Sequence, residues 1–541
     1  MSLQCLLQFL FLLYISTNRF YASPASAESE SESSVAHFEM YHRHHPEILG
    51  GRNLSRAERT AELLHGDKVR MEMITHKLRL KRKLGATSSS RRKAYQVRPS
   101  IYAKDNSSFS LPMMSGFYAQ SATYYVPFRV GTPAQTFLLV VDTGSDLTWV
   151  NCKRGSNNQS QSQSQSQSQS QSNQTTTTTA GEAELRSFGD DDKTNKTNGP
   201  RIFHADRSET FKTIPCATRM CQQSLSALMA IPECPRPKAP CSYFYNYSEA
   251  SAKGVFAFDS VTVNLANGNK KKIPGMLIGC TEDWLKPDVI GLGNADGIFG
   301  LAFNTHAFVF NVFKAFRGKF SYCLMDHTSP KQVYNYLTFG HRSEEEMPPN
   351  MQYADMGLIE DWYALHIDGI YVDGVKLDIP EELWTLEEGR GLIIDTGFSL
   401  TTFAEDAYAP IMAALEKPLI QRFKRVEYPG FLSCFETSNT NRSTNNEVEE
   451  EPFFDESVVP KFEMEFTSGV RFKPPVKSYF IDVAHNGIRC FGFLPSEDED
   501  SRYLSVLGNI MQQNHLWEYN SFRSQVGIAP STCVLRHHHK F

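Results

Sequence analysis

The run Val140-Val141-Asp142-Thr143-Gly144-Ser145 recurs far downstream as Ile393-Ile394-Asp395-Thr396-Gly397-Phe398. In both copies an apolar, β-branched run delivers an aspartate into a tight turn, where glycine permits a backbone approach that a Cβ would block. A further apolar-apolar-Gly element follows each copy, Ile298-Phe299-Gly300 and Val506-Leu507-Gly508. One Asp-Thr-Gly carries little weight, because Asp and Gly are ordinary turn residues. Two copies with matching flanks form an internal repeat over most of the chain. They point to a two-lobed molecule that brings two carboxylates together.

At 541 residues the chain exceeds one ordinary domain, and its apolar content of 40% is that of a globular protein. Its first 27 residues hold the apolar run Leu6 to Tyr14, then small residues with Ala25-Ser26-Ala27 as a cleavage site. The run is too short to span a bilayer, and nothing downstream is apolar enough to do so. We expect a secretory signal at 1–27 and an extracellular or vacuolar destination. The missing positive n-region and the Ser-rich flank leave a chloroplast transit peptide as the alternative. Beyond Cys5 there remain Cys152, Cys216, Cys221, Cys234, Cys241, Cys280, Cys323, Cys434, Cys490 and Cys533. This even number suits full disulfide bonding in an oxidising compartment. Cys216 and Cys221 lack the usual two-residue spacing of a zinc site, and no His pair follows at finger spacing. No metal or cofactor is expected.

Residues 1–105 hold 17 Lys and Arg against 10 Asp and Glu, leaving 38 against 50 for the rest. A leader of +7 before a body of −12 fits an intramolecular partner better than a nucleic-acid site. Residues 28–110 read as a basic propeptide. Within it, Arg56 to Leu84 is rich in helix formers with apolar residues at helical spacing. The basic runs 81–83 and 91–93 are available to a processing protease and to an acidic cleft. His42, His44 and His45 are either surface residues or pH sensors.

The body reads as strand after strand from about residue 118. Tyr124 to Val130 and Phe137 to Val141 flank the Gly131-Thr132-Pro133 turn, and short apolar-alternating runs continue through Phe462 to Phe466. Helical signal is confined chiefly to Glu405–Leu419. The architecture is all-β, with an N-terminal lobe over 118–340 and a C-terminal lobe over 341–535. Two polar insertions, about 155–200 with its Gln-Ser repeat and 439–451, cannot bury enough apolar surface to order themselves. Glycosylation sequons stand at Asn53, Asn106, Asn158, Asn173, Asn195, Asn246 and Asn441.

From Tyr124 to Cys533 the chain resembles the pepsin-like aspartic proteases of the plant, cysteine-rich (nepenthesin-like) kind, over about three quarters of its length. The resemblance implies a bilobal fold with the cleft between two related β lobes, and disulfides Cys434–Cys490 and Cys323–Cys533. It implies Asp142 and Asp395 as catalytic residues that share one proton, since neighbouring carboxylates cannot both ionise. The ionised one takes a proton from water and the other protonates the peptide carbonyl. Thr143 and Thr396 would grip the opposite turn, with Gly144 and Gly397 beside them. Ser145 would hydrogen-bond the outer oxygen of Asp142.

Two positions depart from the family pattern. Phe398 stands where a Ser or Thr would serve Asp395, so that aspartate lacks a hydroxyl, or a water replaces it, or Ser399 reaches across. The flap, a hairpin closing over substrate, is written Tyr247-Ser248-Glu249-Ala250-Ser251, without the glycines a tight hairpin prefers. Tyr247 matches the flap tyrosine and Trp149 the indole that bonds its hydroxyl; Tyr247 as a core aromatic is the alternative. The expected function is an acid-active aspartic endopeptidase, made as a zymogen, monomeric, with protein or peptide substrates and its own propeptide as partner. The alternative is a protease-fold binding protein of the xylanase-inhibitor type, with a weak or inactive cleft.

Overall fold

Alternating apolar residues make Tyr125–Val130 (β2) a strand with one covered face, and the unbroken apolar run Phe137 to Val141 within Gln135–Asp142 (β3) makes a strand buried on both. The two pair antiparallel. β3 then pairs in parallel with Gly297–Gly300 (β8), placing Gly300 opposite Asp142. Between them in sequence come Trp149–Lys153 (β4), Ser242–Tyr247 (β5), Ala250–Asn264 (β6) and Lys270–Leu285 (β7). These strands lie in one ten-stranded sheet, along the path β7-β4-β8-β3-β2-β6-β5.

The downstream copy is built the same way. Gly391–Ile394 (β13) runs parallel to Leu504–Leu507 (β16), with Ile394 opposite Leu507, and Thr401–Phe403 (β14) crosses β16 antiparallel. An eleven-stranded sheet carries this copy. It begins with Phe109–Met114 (β1) and continues through Tyr334–Phe339 (β10), Lys319–Cys323 (β9), His515–Asn520 (β17), Gln525–Pro530 (β18), Gln352–Ile359 (β11) and Trp362–Leu365 (β12). From there it runs β13-β16-β14 to Phe493–Pro495 (β15) at the far edge. Two four-stranded sheets complete a mostly β, two-lobed fold, so the fold class is as the sequence implies.

In the computed structural model the described residues are 56–85, 109–114, 124–155 and 201–533, apart from 229, 248–249, 266–268, 286–294, 314–315, 326–333, 341, 343–346, 387–388, 438–453 and 485–486. The expected signal segment, the histidines 42–45, the basic run 91–93 and both polar insertions lie outside them. Both implied disulfides are present, together with Cys152–Cys280, Cys216–Cys234 and Cys221–Cys241. The sulfurs of Cys216, Cys221 and Cys234 lie near one another, in two of these disulfides. Aromatic packing fills the sheet interiors; Phe320 stacks on Tyr519 with ring centroids 4.4 Å apart. Each such buried side chain contributes about 1.5–3 kcal/mol.

The expected leader helix spans Arg56–Gly85 (α1), and the helix in the body spans Glu405–Ile420 (α2). Helix α1 is not amphipathic in the ordinary sense. Its buried residues are Asp67, Val69, Arg70, Met73, Ile74, Thr75, Lys77 and Leu78, so charged and apolar side chains share one face. Strand β1 starts inside the segment expected to be propeptide and is held by β10 in full register from Phe109–Phe339 to Met114–Tyr334. No helix among the described residues is long and apolar enough to cross a membrane.

Candidate active site

Parallel pairing of β3 with β8, and of β13 with β16, projects each Asp-Thr-Gly turn from the end of a buried strand. The backbone at 300–302 and 507–510 pins the turns: Leu301 N donates to Asp142 O at 2.8 Å, and Asp395 N donates to Leu507 O at 3.1 Å. The two turns then hold each other. Thr143 N donates to Thr396 Oγ1 at 3.0 Å, and Thr396 N donates to Thr143 Oγ1 at 3.0 Å. Thr143 Oγ1 donates to Ile394 O, and Thr396 Oγ1 to Val141 O. Every group is buried, so this reciprocal grip leaves little freedom for either aspartate.

The glycines matter because the opposite aspartate stands where their side chains would be. A Cβ on Gly144 would lie 2.6 Å from Asp395 Oδ2, and one on Gly397 would lie 2.7 Å from Asp142 Oδ1. Their amides donate inward, Gly144 N to Asp142 Oδ1 at 2.9 Å and Gly397 N to Asp395 Oδ1 at 2.8 Å. Ser145 Oγ donates to the outer oxygen, Asp142 Oδ2, at 2.5 Å.

The second outer oxygen is served differently. Phe398 is buried in an apolar cluster with Ile74, Leu78, Trp362 and Val506. Among the described residues no hydrogen bond runs from Ser399 Oγ to Asp395; the Ser399 side chain instead favours the charged form of Asp67 of α1. What reaches Asp395 Oδ2 is Arg70 Nε, at 3.1 Å. The same guanidinium donates through Nη1 to Asp142 Oδ2 at 2.6 Å and through Nη2 to Asp142 Oδ1 and to Asp395 Oδ1, the last at 3.2 Å. One planar fork thus bridges both carboxylates. Burial opposes the charge of Arg70, but the two aspartates outweigh it and hold its pKa above the ordinary value. Burial and the nearby Asp142 push Asp395 up to about 6, with Arg70 pulling the other way.

Arg70 was not among the sequence candidates. The side chains of the basic runs 81–83 and 91–93, expected to be available to an acidic cleft, lie outside the described residues; the described contacts come from Arg70, Lys77 and Asp67 of α1. Lys77 Nζ donates to Asp361 Oδ2 at 3.4 Å, lies 3.9 Å from Asp146 Oδ2 and sits 4.6 Å over the Trp362 ring. Asp67 accepts from Ser399 N and Leu400 N, both at 2.8 Å. Trp362, also missed, donates Nε1 to Gly144 O at 2.9 Å and steadies the first turn from below. Asn509 and Gln512 support the second through Thr396 O and Leu507 O. In the sequence they stand beside the Val506-Leu507-Gly508 element, within the run Gly508–Trp517.

For the flap, β5 and β6 pair with Tyr247 opposite Ala250. The tip, 248–249, and the Tyr247 side chain lie outside the described residues, so the expected Tyr247–Trp149 contact does too. Trp149 is fully buried, edge-on to Trp284 at 5.4 Å.

The family model "Xylanase inhibitor N-terminal" matches residues 124–199 and 187–341, and "Xylanase inhibitor C-terminal" matches 362–530. Aspartyl protease family protein 2 of Arabidopsis thaliana is 26% identical over 432 residues, covering 79% of this chain and 74% of that protein. Aspartic proteinase nepenthesin-1 of Nepenthes gracilis is 25% identical, covering 77% and 79%. Among solved structures, basic 7S globulin from soybean superposes with a TM-score of 0.51 at 14% identity, covering 78% of this chain and 97% of that one. The structure titled edgp gives 0.54 at 18%, covering 81% and 97%. These last two speak to the fold alone. With both family models spanning the greater part of its length and proteases of this kind as relatives, the chain belongs to the plant atypical pepsin-like family.

Proposed function

We propose that the chain is an aspartic endopeptidase made as a precursor, in which α1 occupies the cleft until it is removed. The observation that carries this is the pair of matched aspartates, Asp142 and Asp395, locked by reciprocal Thr143–Thr396 bonds and bridged by Arg70. With Arg70 withdrawn, two close, buried carboxylates share one proton. The ionised member accepts a proton from a water as that water attacks the substrate carbonyl; the protonated member donates to the carbonyl oxygen. Such positioned acid–base help is worth about 10²–10⁴ in rate. The grip and the inward-donating Gly144 and Gly397 amides supply the preorganisation. Substrates are proteins or peptides, and the acting form is a monomer routed through the secretory pathway, with the chloroplast as the alternative. Within the family, Phe320–Leu324 and Gly508–Trp517 resemble the plant proteinase NANA.

A second reading, a protease-fold binding protein with a weak cleft, is favoured by Phe398, which leaves Asp395 without a neighbouring hydroxyl. The test is cleavage of a denatured protein at acid pH after α1 has been cut away, with Asp142→Ala as control. Hydrolysis that vanishes in the control supports the enzyme; equal, negligible hydrolysis in both supports the binding protein.

A further inference from the structure

The two Asp-Thr-Gly turns are rooted by different devices. The first is held at Gly144 O by the Trp362 indole. At the root of the second, Gln512 Nε2 donates to Leu507 O at 2.8 Å and to Asp395 O at 3.4 Å. Leu507 O also accepts from Asp395 N, so a single side-chain amide ties β16 to the start of the turn. In the first repeat the equivalent position, four residues beyond the glycine of its apolar-apolar-Gly element, is Asn304, whose Nδ2 goes to Asp361 Oδ2 instead. Gln512 can serve two carbonyls only if its amide is turned the right way. Tyr322 OH sets that orientation by donating to Gln512 Oε1 at 2.5 Å, which leaves Nε2 facing the carbonyls. A hydroxyl carries one proton, so Tyr519 is the donor in its 2.8 Å bond to Tyr322. Trp517 Nε1 holds the Gln512 backbone carbonyl at 3.0 Å. Gln512, Tyr322 and Tyr519 are all fully buried, and Phe320 stacks on Tyr519. A directed chain of hydrogen bonds thus runs from Tyr519 through Tyr322 and Gln512 to the second turn.

Building on the protease reading, we infer that Gln512, oriented by Tyr322, is a positioning residue for Asp395. It fixes where the second aspartate leaves its strand, and with that the contact between the two carboxylates. The charged and titratable groups that act on Asp395 are Asp142, Arg70 and Asp67 of α1, Tyr322 of β9 and Tyr519 of β17. Burial holds both tyrosines well above their ordinary pKa, so they remain neutral donors throughout the working range. Once α1 has left, Asp142 is the charged neighbour that matters. The two pKa values of the dyad then lie far apart only while the carboxylates stay in contact, because the splitting comes from their mutual repulsion and shared proton. Phe398 sharpens the need, since without a neighbouring hydroxyl the second aspartate is held chiefly through its backbone. A Gln512 amide free to turn would put its oxygen against the carbonyls of Leu507 and Asp395, and the turn would shift to escape it.

The test uses the folded precursor cut after α1. It reads the carboxyl-carbon NMR titrations of Asp142 and Asp395, and kcat and KM for one peptide against pH. Tyr322→Phe removes a single hydroxyl. We expect the two dyad pKa values to draw together by about one unit, narrowing the activity bell from both sides, while kcat falls about tenfold and KM holds. Gln512→Met should give the same narrowing, and adding Tyr322→Phe to it should add none. Tyr519→Phe is the control. It takes an equal group from the same buried chain but leaves the Tyr322–Gln512 bond, so stability should drop while both pKa values stay. Dyad pKa values that stay put or move apart in Tyr322→Phe overturn the inference, as does an equal shift in Tyr519→Phe. Converging pKa values in a chain that cuts no peptide keep the inference and sink the protease reading, so the two failures are distinct.

Discussion

Arg70 Nε lies 3.1 Å from Asp395 Oδ2 and does for the second aspartate what the Ser145 hydroxyl does for Asp142 Oδ2. Phe398 removed the ordinary donor from that oxygen, and the leader helix supplies one in its place.

Replacing Arg70 should therefore unlock the precursor. Arg70→Gln leaves two buried carboxylates facing an uncharged partner, and breaking a buried ion pair costs about 3–5 kcal/mol. We expect the uncut variant to cleave peptide at least tenfold faster than the uncut wild type. A precursor rate unchanged by Arg70→Gln would show that α1 does not gate the cleft.

Either Asp142→Asn or Asp395→Asn should abolish hydrolysis while the fold persists, because the Thr143–Thr396 grip does not use the carboxylates. Circular dichroism should match wild type, and activity should fall by at least 10²-fold. Near-wild-type activity in either variant would rule out a shared proton.

Acid should release α1 through the dyad and hold it through Asp67. Arg70 holds Asp395 toward its charged form, and withdrawing it leaves two neighbouring carboxylates that cannot both ionise. The released dyad thus binds more protons, and falling pH favours release. Asp67 works in the opposite sense. Burial raises it from 3.8 to about 7 when docked. Its contribution to docking is therefore fully present below about 3.8 and lost as pH climbs through about 7. Asp67→Asn, uncharged at every pH, should steepen acid activation of the precursor and move its midpoint to lower pH, as followed by active-site titration. A midpoint moved to higher pH would contradict the sign.

Phe398→Thr should have one effect on the uncut chain and one on the processed chain. In the uncut chain, taking a buried ring from the cluster with Ile74, Leu78, Trp362 and Val506 should cost about 3–5 kcal/mol of stability, read from denaturant unfolding. The new hydroxyl near Asp395 Oδ2 should lower the acid limb of the activity profile by about one to two pH units, the worth of a hydrogen bond to a charged group. Ser399→Ala should leave that limb in place, since no hydrogen bond from Ser399 Oγ to Asp395 occurs among the described residues. The reverse pattern would assign the hydroxyl to Ser399.

Losing one side of the grip should be costly. Thr396→Val removes the acceptor for Thr143 N and the donor to Val141 O in a fully buried site. We expect about 1–3 kcal/mol of lost stability per stranded group. Activity should fall more steeply than stability alone requires. A variant with unchanged activity would show that the grip does not position the dyad.

Much of this was legible in the residues themselves. The doubled Asp-Thr-Gly with its two apolar-apolar-Gly partners specifies two equivalent strand-turn units, because only a buried parallel neighbour satisfies such a run and such a glycine. The even set of cysteines and the helix formers of 56–84 were equally local signals. Three features could be decided only in three dimensions. Arg70 is one of many basic residues in the leader, and periodicity could not single it out because the buried face of α1 mixes Asp67, Arg70 and Lys77 with its apolar residues. The partner of the Ser399 amide is Asp67, more than three hundred residues away in sequence. The ring of Phe398 could be placed only once Ile74 and Leu78 had arrived from the leader to pack beside it. Local propensity and repeat symmetry act within a segment, whereas charge pairing and side-chain packing act between segments that only the folded chain brings together.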